Sequence, residues 1–284
     1  MSKIIKYIGL LTLVMFSFFY TDKVAHVVKM NDSLMSEIKS VKDNYTVNSI
    51  DGVINNNTIV PGINGRSMNI DKSYKKMREK GIFDKDFVIY DKVIPKNNLN
   101  NNKDKFIISG NSIKNMVSIV FVLDDDIYLD KINNSVSSKD VIINYFVDYK
   151  YLISNSTKIK ELVNSEVYNY GNDGLYTPDN VLFANNLISR IRNNDAIYCL
   201  VNFKDYDVLK LCSSNNLYTI LPNIFIKNDA YSKVKKEIKS GSIVMVEVNN
   251  SNIVELGIII DYISGKGLKI VGLSELLSEE YLYH

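Results

Sequence analysis

The chain has 284 residues, and its 34 basic side chains nearly balance 32 acidic ones, leaving a net charge of +2. That balance argues against nucleic acid as a partner, while 46% hydrophobic and 11% aromatic content excludes a disordered chain and supplies a sizeable core. Two histidines, His26 and His284, and two cysteines, Cys199 and Cys212, are too few for a zinc cluster or a disulfide framework, and the stretch between the histidines lacks the commonest metal ligand and general base altogether.

At the N-terminus Lys3 and Lys6 precede an apolar run that ends at Tyr20. A basic start before an apolar stretch is the pattern of a secretory signal or a signal-anchor. From Ile4 to Tyr20 the run is at the short end of what spans a bilayer, and Lys6 can snorkel to the headgroups. No small-x-small cleavage site follows Tyr20. An uncleaved anchor over residues 1–28 is therefore expected, ahead of a cleaved signal peptide or a helix buried in the fold. The lysines put the N-terminus inside and the rest of the chain outside the membrane.

Residues 29–110 read as a stalk and accessory region. Asn57–Val60 and Arg66–Ile70 look like two strands joined by Pro61-Gly62-Ile63-Asn64-Gly65, which is strong turn chemistry. Asp71 is placed to cap a helix over Lys72–Lys80 that Gly81 ends. Phe87–Tyr90 and Lys105–Ile108 read as further strands, with a boundary near Gly110.

Over residues 111–284 the pattern becomes regular alternation. Strands are expected at Val117–Leu123, Val141–Phe146, Glu166–Tyr170, Ala196–Asn202, Tyr218–Leu221, Ser242–Val248 and Leu268–Val271. Between them lie helices at Thr157–Asn164, Asn180–Ile191, Asp205–Ser213, Tyr231–Lys239 and Ile253–Ser264. In the last of these Ile253, Leu256, Ile260 and Ile263 fall on one stripe of helical period. Strands alternating with helices specify an α/β fold with a mostly parallel sheet; periodicity does not choose between a barrel and a doubly wound sheet. No phosphate-binding glycine loop, CxxC pair or nucleophile elbow is present.

This succession resembles the polysaccharide deacetylase (NodB-homology) family. Val117–Phe121 is similar to the first strand, which normally ends in Thr-Phe-Asp-Asp-Gly, and Val141–Lys150 to the second, with its Thr-Phe-Phe core. Lys158–Val163 followed by Gly171-Asn172 resembles the approach to the histidine motif. Gly241–Val244 and Gly267–Leu277 resemble the last strand and the C-terminal ending. The resemblance implies a distorted (β/α) barrel over 111–284, with a site at the C-terminal strand ends. The preceding segment, 45–108, resembles an N-terminal extension of degenerate members in low-GC Gram-positive bacteria.

Active members hold a metal with one Asp and two His, and use a second Asp as base and a late His as acid. Carried over by position, the paired aspartates become Val122 and Leu123, with Asp124, Asp125 and Asp126 just beyond. The two histidines become Asp173 and Thr177, and the late one becomes Glu247; the Arg-Pro-rich motif falls near Tyr198–Val201, without either residue. The resemblance thus implies a degenerate member with no catalytic residues, metal or other cofactor. The expected protein is membrane-anchored, extracytoplasmic and inactive, with cell-wall glycan or an envelope protein as partner and Tyr168, Tyr170 and Tyr176 as ligand-binding aromatics. Tyrosines that merely pack under loops, and an accessory region that does the binding, are readings of the same residues. The alternative is an active peptidoglycan-type N-deacetylase whose metal site is rebuilt from Asp173, Glu247 and one of Asp124 to Asp126. Asp173-Gly174 also reads simply as a turn, and Asp205 to Asp207 as a helix start. Cys199, on a strand, and Cys212, late in the next helix, read either as a disulfide, which forms outside the membrane, or as two buried thiols.

Overall fold

The computed structural model describes residues 2–30, 32–193 and 195–281, with side chains of the first helix described at 7–21 and 23. The strands are β1 (Val53–Asn55), β2 (Thr58–Val60), β3 (Gly65–Met68), β4 (Tyr90–Val93), β5 (Phe106–Ile107), β6 (Met116–Leu123) and β7 (Ile143–Val147). There follow β8 (Ser165–Asn169), β9 (Tyr198–Leu200), β10 (Tyr218–Ile220), β11 (Ile224–Ile226), β12 (Ile243–Val246) and β13 (Lys269–Ile270). The helices are α1 (Ser2–Met30), α2 (Ser33–Val41), α3 (Ile70–Met77), α4 (Leu129–Val136), α5 (Tyr149–Ser154) and α6 (Ser156–Glu161). After them come α7 (Pro178–Arg192), α8 (Tyr206–Ser214), α9 (Ala230–Glu237), α10 (Asn250–Gly265) and α11 (Leu273–Leu277).

The chain forms two compact units, Met1–Ser49 with Asn64–Val93, and Ile50–Ile63 with Ile94–His284. In the smaller unit α2 and α3 bury Leu34, Met35, Ile38, Tyr74 and Met77 with Met68 of β3. Asp32 caps α2 by accepting from the Leu34 N–H at 2.8 Å, and the Tyr74 hydroxyl donates to its other oxygen at 2.8 Å. The helix expected to start behind Asp71 starts instead behind Asn69, whose side chain accepts from the Lys72 N–H at 2.8 Å. The expected hairpin of 57–60 with 66–70 does not form: β2 pairs antiparallel with β1, and β3 with β4. Asn56 at φ 51° supplies the tight β1–β2 turn, and the strand expected at 87–90 lies three residues later, at β4.

In the larger unit β5, β10 and β9 run parallel, and β2 adds to β5. A second parallel sheet has the order β11-β12-β6-β7-β8, with β13 on β6. The apolar run of β6 is buried almost throughout, as parallel strands covered on both faces require. Phe121, Tyr145, Phe146 and Tyr168 are among the largest fully buried side chains, each stabilising by about 1.5–3 kcal/mol. The seven strands from β6 to β12 thus make the expected distorted barrel, its ladder broken between β8 and β9 and between β10 and β11.

The boundary expected near Gly110 is a packed junction instead. The Gly110 N–H donates to the Gly241 carbonyl at 2.8 Å, and a Cβ at Gly241 (φ +87°) would stand 2.4 Å from the Gly110 carbonyl oxygen. Residues 94–110 and the β1–β2 hairpin belong with the barrel, not with an accessory region of 29–110. α1 is one continuous helix with every described side chain exposed. Among the described residues no helix is long and apolar enough to cross a membrane.

Candidate functional site

Parallel α/β folds build their sites at the C-terminal ends of the strands. At the end of β6, Val122 is half-buried against the core and Leu123 is a core residue. The Leu123 carbonyl accepts from the Asp148 N–H at 2.9 Å, which ties β6 to the segment after β7. Asp148 organises this end of the barrel. One carboxylate oxygen caps α5 through the N–H groups of Lys150 (2.8 Å) and Tyr151 (3.2 Å), and the other accepts from the Asp173 N–H at 2.7 Å.

Asp173 therefore serves a turn. Asn172 and Leu175 exchange both backbone hydrogen bonds, 2.9 and 3.0 Å, around Asp173 (φ 52°) and Gly174 (φ 79°). Two central residues at positive φ are what Asp-Gly supplies in a two-residue hairpin turn. The Thr177 hydroxyl accepts from the Asn180 N–H at 3.2 Å, and the Asn180 side chain accepts from the Thr177 N–H at 3.0 Å. Thr177 is thus committed to a capping box at the start of α7. Glu247 is exposed past β12. Asp126 pairs with Lys158, which holds its carboxyl below the ordinary aspartate value, and Asp125 accepts from the Ile127 N–H at 3.0 Å.

The carboxylate-rich site is not assembled: among the described residues no three His, Cys, Asp or Glu side chains come together to hold a metal ion. A deacetylase-type metal does not fit the aligned set, since Leu123 has no lone pair and Thr177 offers one weak hydroxyl that is already committed to the α7 cap. His284 lies outside the described residues, as does the His26 side chain.

The three tyrosines part company. Tyr168 is 1% exposed, wedged between the rings of Phe146 (5.2 Å) and Tyr198 (5.0 Å), and its hydroxyl donates to Glu166. The Tyr176 hydroxyl donates to the carbonyls of Asn169 (3.1 Å) and Leu200 (3.3 Å) and accepts from the Leu200 N–H at 2.9 Å. It sits where β8 and β9 lack a ladder and replaces strand-to-strand bonds. Both rings are buried, Tyr168 bordering a different cavity near the strand starts; burial raises both hydroxyls well above the ordinary tyrosine value. Of the three, Tyr170 lines a cleft at the C-terminal strand ends.

That cleft, of about 190 Å³, lies between the Asn172–Leu175 turn and the loop after β9. Its walls are Tyr170, Asp173, Gly174, Leu175, Asn202, Phe203 and Asp205, over a floor of Leu200, Val201 and Val208. Asp205 is engaged as the α8 cap, accepting from the Asp207 and Val208 N–H groups at 3.0 Å each. Phe203 and Leu175 are 64% and 69% exposed, large apolar surfaces at the rim. Sequence reasoning passed over Leu175, Asn202 and Phe203; the only signal was an aromatic in a polar loop directly after a strand. A disulfide joins Cys199 to Cys212, with Cα atoms 6.6 Å apart, and fastens β9 to α8 on either side of that loop.

Comparison with known structures follows the same outline. Wild-type BA3943 from Bacillus anthracis, described as a CE4 family pseudoenzyme, superposes with a TM-score of 0.65 at 23% identity, covering 89% of this chain and 97% of that one. The chain has the fold of the family 4 carbohydrate esterases. This is the fold of the polysaccharide deacetylases expected from the sequence. A BA3943 mutant with restored enzymatic activity matches with a TM-score of 0.65 at 22% identity, over 88% of this chain and 100% of that one. PdaA of Bacillus subtilis, a family 4 carbohydrate esterase, matches with a TM-score of 0.53 at 17% identity, over 63% and 86% of the two chains. By sequence, the uncharacterized protein YlxY of Bacillus subtilis is 23% identical over 244 residues, 78% of this chain and 76% of YlxY. No protein-family model matches the chain.

Proposed function

We propose that this protein is a polysaccharide deacetylase homologue that has lost hydrolysis and keeps glycan binding, tethered by α1 to the outer face of a cell membrane. The observation that carries the reading is the fate of the aligned positions: Leu123 is core, Thr177 a helix cap, and Asp173 part of a turn locked by Asp148. Binding is assigned to the cleft where Tyr170 and the exposed Phe203 present apolar ring surface beside the polar groups of Asp173 and Asn202, the mixture of apolar walls and few polar groups that marks ligand sites. Tethering is supported by the exposed apolar side chains from Tyr7 to Tyr20. An outward address is supported by the Cys199–Cys212 bond, since reducing compartments keep thiols free. The test is acetate release from N-acetylglucosamine oligomers with added zinc, run beside sedimentation with purified peptidoglycan. No acetate, and peptidoglycan binding that Tyr170→Ala weakens, is the expected result; acetate release above the no-protein rate, or binding indifferent to Tyr170→Ala, overturns it.

A further inference from the structure

The break between β8 and β9 opens at its other end, near the strand starts, into a second cavity of about 330 Å³. Ser165, Glu166, Tyr168, Arg192, Tyr198 and Ser274 form most of its wall. None of them belongs to the cleft at the C-terminal strand ends. Where Tyr176 fills the seam at that end, the seam here is left as a polar slot.

Two of the slot's three charged side chains, Glu166 and Arg192, are already engaged, and the third, Asp195, is exposed. The Glu166 carboxylate accepts from the Tyr168 hydroxyl, the Ser274 hydroxyl and the Ser274 N–H (3.0 Å). Both terminal nitrogens of Arg192 are engaged: one donates to the carbonyls of Ile159 (3.4 Å), Lys160 (3.1 Å) and Leu162, the other to the Ser165 carbonyl (2.9 Å) and hydroxyl (3.1 Å). Arg192 thereby holds the last carbonyls of α6 and has no free fork for a phosphate or carboxylate. Glu166, with three donors around it, is likewise no vacant seat for a cation.

Tyr198 is different. It is 5% exposed, its ring held between Tyr168 (5.0 Å) and Tyr218 (5.9 Å), and its hydroxyl has no hydrogen-bond partner among the described residues. The ring is buried, but its residue lines a cavity with room for a ligand to supply the missing bond. Burial raises its titration far above neutral pH, so it stays a donor.

We propose that this slot binds a small neutral polyhydroxyl molecule, the size of a single sugar ring, through the Tyr198 hydroxyl. An anion finds Arg192 engaged and meets the Asp195 carboxylate, and a cation finds a single exposed carboxylate, a weak partner in water, whereas a neutral polyol can bond Tyr198, donate to Asp195 and share the Ser165 and Ser274 hydroxyls. Saturation-transfer NMR on the full chain in lipid nanodiscs tests this with glucose, which has no acetyl group, alongside inorganic phosphate and methylammonium. Saturable glucose binding is expected, weakened roughly three- to tenfold by Tyr198→Phe and unchanged by Tyr170→Ala, so the cleft reading stands or falls separately. Should Tyr198→Phe shift the unfolding midpoint, Ser274→Ala is expected to weaken glucose in the same direction. Absence of saturable glucose binding by the native chain overturns the proposal. So does loss with Tyr170→Ala but not with the slot variants, or tighter binding of phosphate or methylammonium at the slot.

Discussion

At the scale of single residues, sequence spacing says which face a side chain takes but not how deep it lies. Tyr168 and Tyr170 are two apart on β8 and its exit, yet one is sealed among Phe146 and Tyr198 and the other borders the cleft. Tyr176 follows a turn and comes back to close the seam, a long-range role that no local pattern announces. Removing only its oxygen isolates that role. Tyr176→Phe leaves the buried Leu200 N–H and Asn169 carbonyl without this partner and is expected to cost about 1–3 kcal/mol, read as a lower urea midpoint at unchanged slope. A loss below about 0.5 kcal/mol would mean that water or a local shift replaces the phenol. The Asp173-Gly174 turn, by contrast, was legible, because both of its backbone conformations select those two residues.

At the scale of elements, the alternation from β6 onward was readable since each parallel strand is a buried apolar run and each helix a stripe. What escaped had weak local signals. β11 follows β10 after only Leu221-Pro222-Asn223, with no helix between them to mark a new strand, and α4 starts without a side-chain cap and carries Asn133-Asn134 in its middle. The β1–β2 hairpin was misjoined because Pro61 to Gly65 is good turn chemistry, but β3 finds its partner in β4, beyond α3. The link between β9 and α8 lends itself to a direct test. Closing a separation of 13 residues stabilises by about 3 kcal/mol through the unfolded chain. The double variant Cys199→Ala, Cys212→Ala is expected to lose about that much and to expose the α8 amides to faster hydrogen exchange; an unchanged midpoint would show the bond to be absent or idle.

The C-terminal tail is a second element with a measurable signature. Glu279 accepts from the Gly62 N–H at 2.9 Å and from the Leu99 N–H at 3.1 Å, while Lys114 donates to the carbonyls of Glu275 (2.9 Å) and Ser278. Burial, the largest influence, raises the Glu279 carboxyl above its ordinary value, against the pull of those N–H groups and of Lys114. Its stabilising contribution is thus fully present below the ordinary glutamate value and is lost as pH rises through the raised one. Glu279→Gln stays neutral and escapes that loss. The stability of Glu279→Gln relative to the native chain is expected to rise between about pH 4 and pH 7 in thermal melts, and a difference that shrinks over this range would refute the assignment.

For the whole molecule, the parallel α/β class was foreseeable from the alternation of strands and helices, and the barrel only from the resemblance. The unit boundary was not, because chain order and packing order differ: residues 50–63 return to the barrel between two segments of the smaller unit. The smaller unit has a core of its own from α2, α3 and β3, and none of the described side chains of α1 enters the hydrophobic clusters of either unit. Its described side chains, including Leu10, Leu11, Phe16, Phe18 and Phe19, are exposed. In water such a surface is an association hazard; at a bilayer it is the part that partitions. An anchor and a helix that belongs to the fold differ in what truncation does. A chain starting at Asp32 keeps the cap that Asp32 gives α2. It is expected to unfold at the same urea midpoint as the full chain and to move from the membrane fraction to the soluble fraction. A lowered midpoint would place α1 in the core after all, and an unmoved truncated chain would assign membrane attachment to another surface.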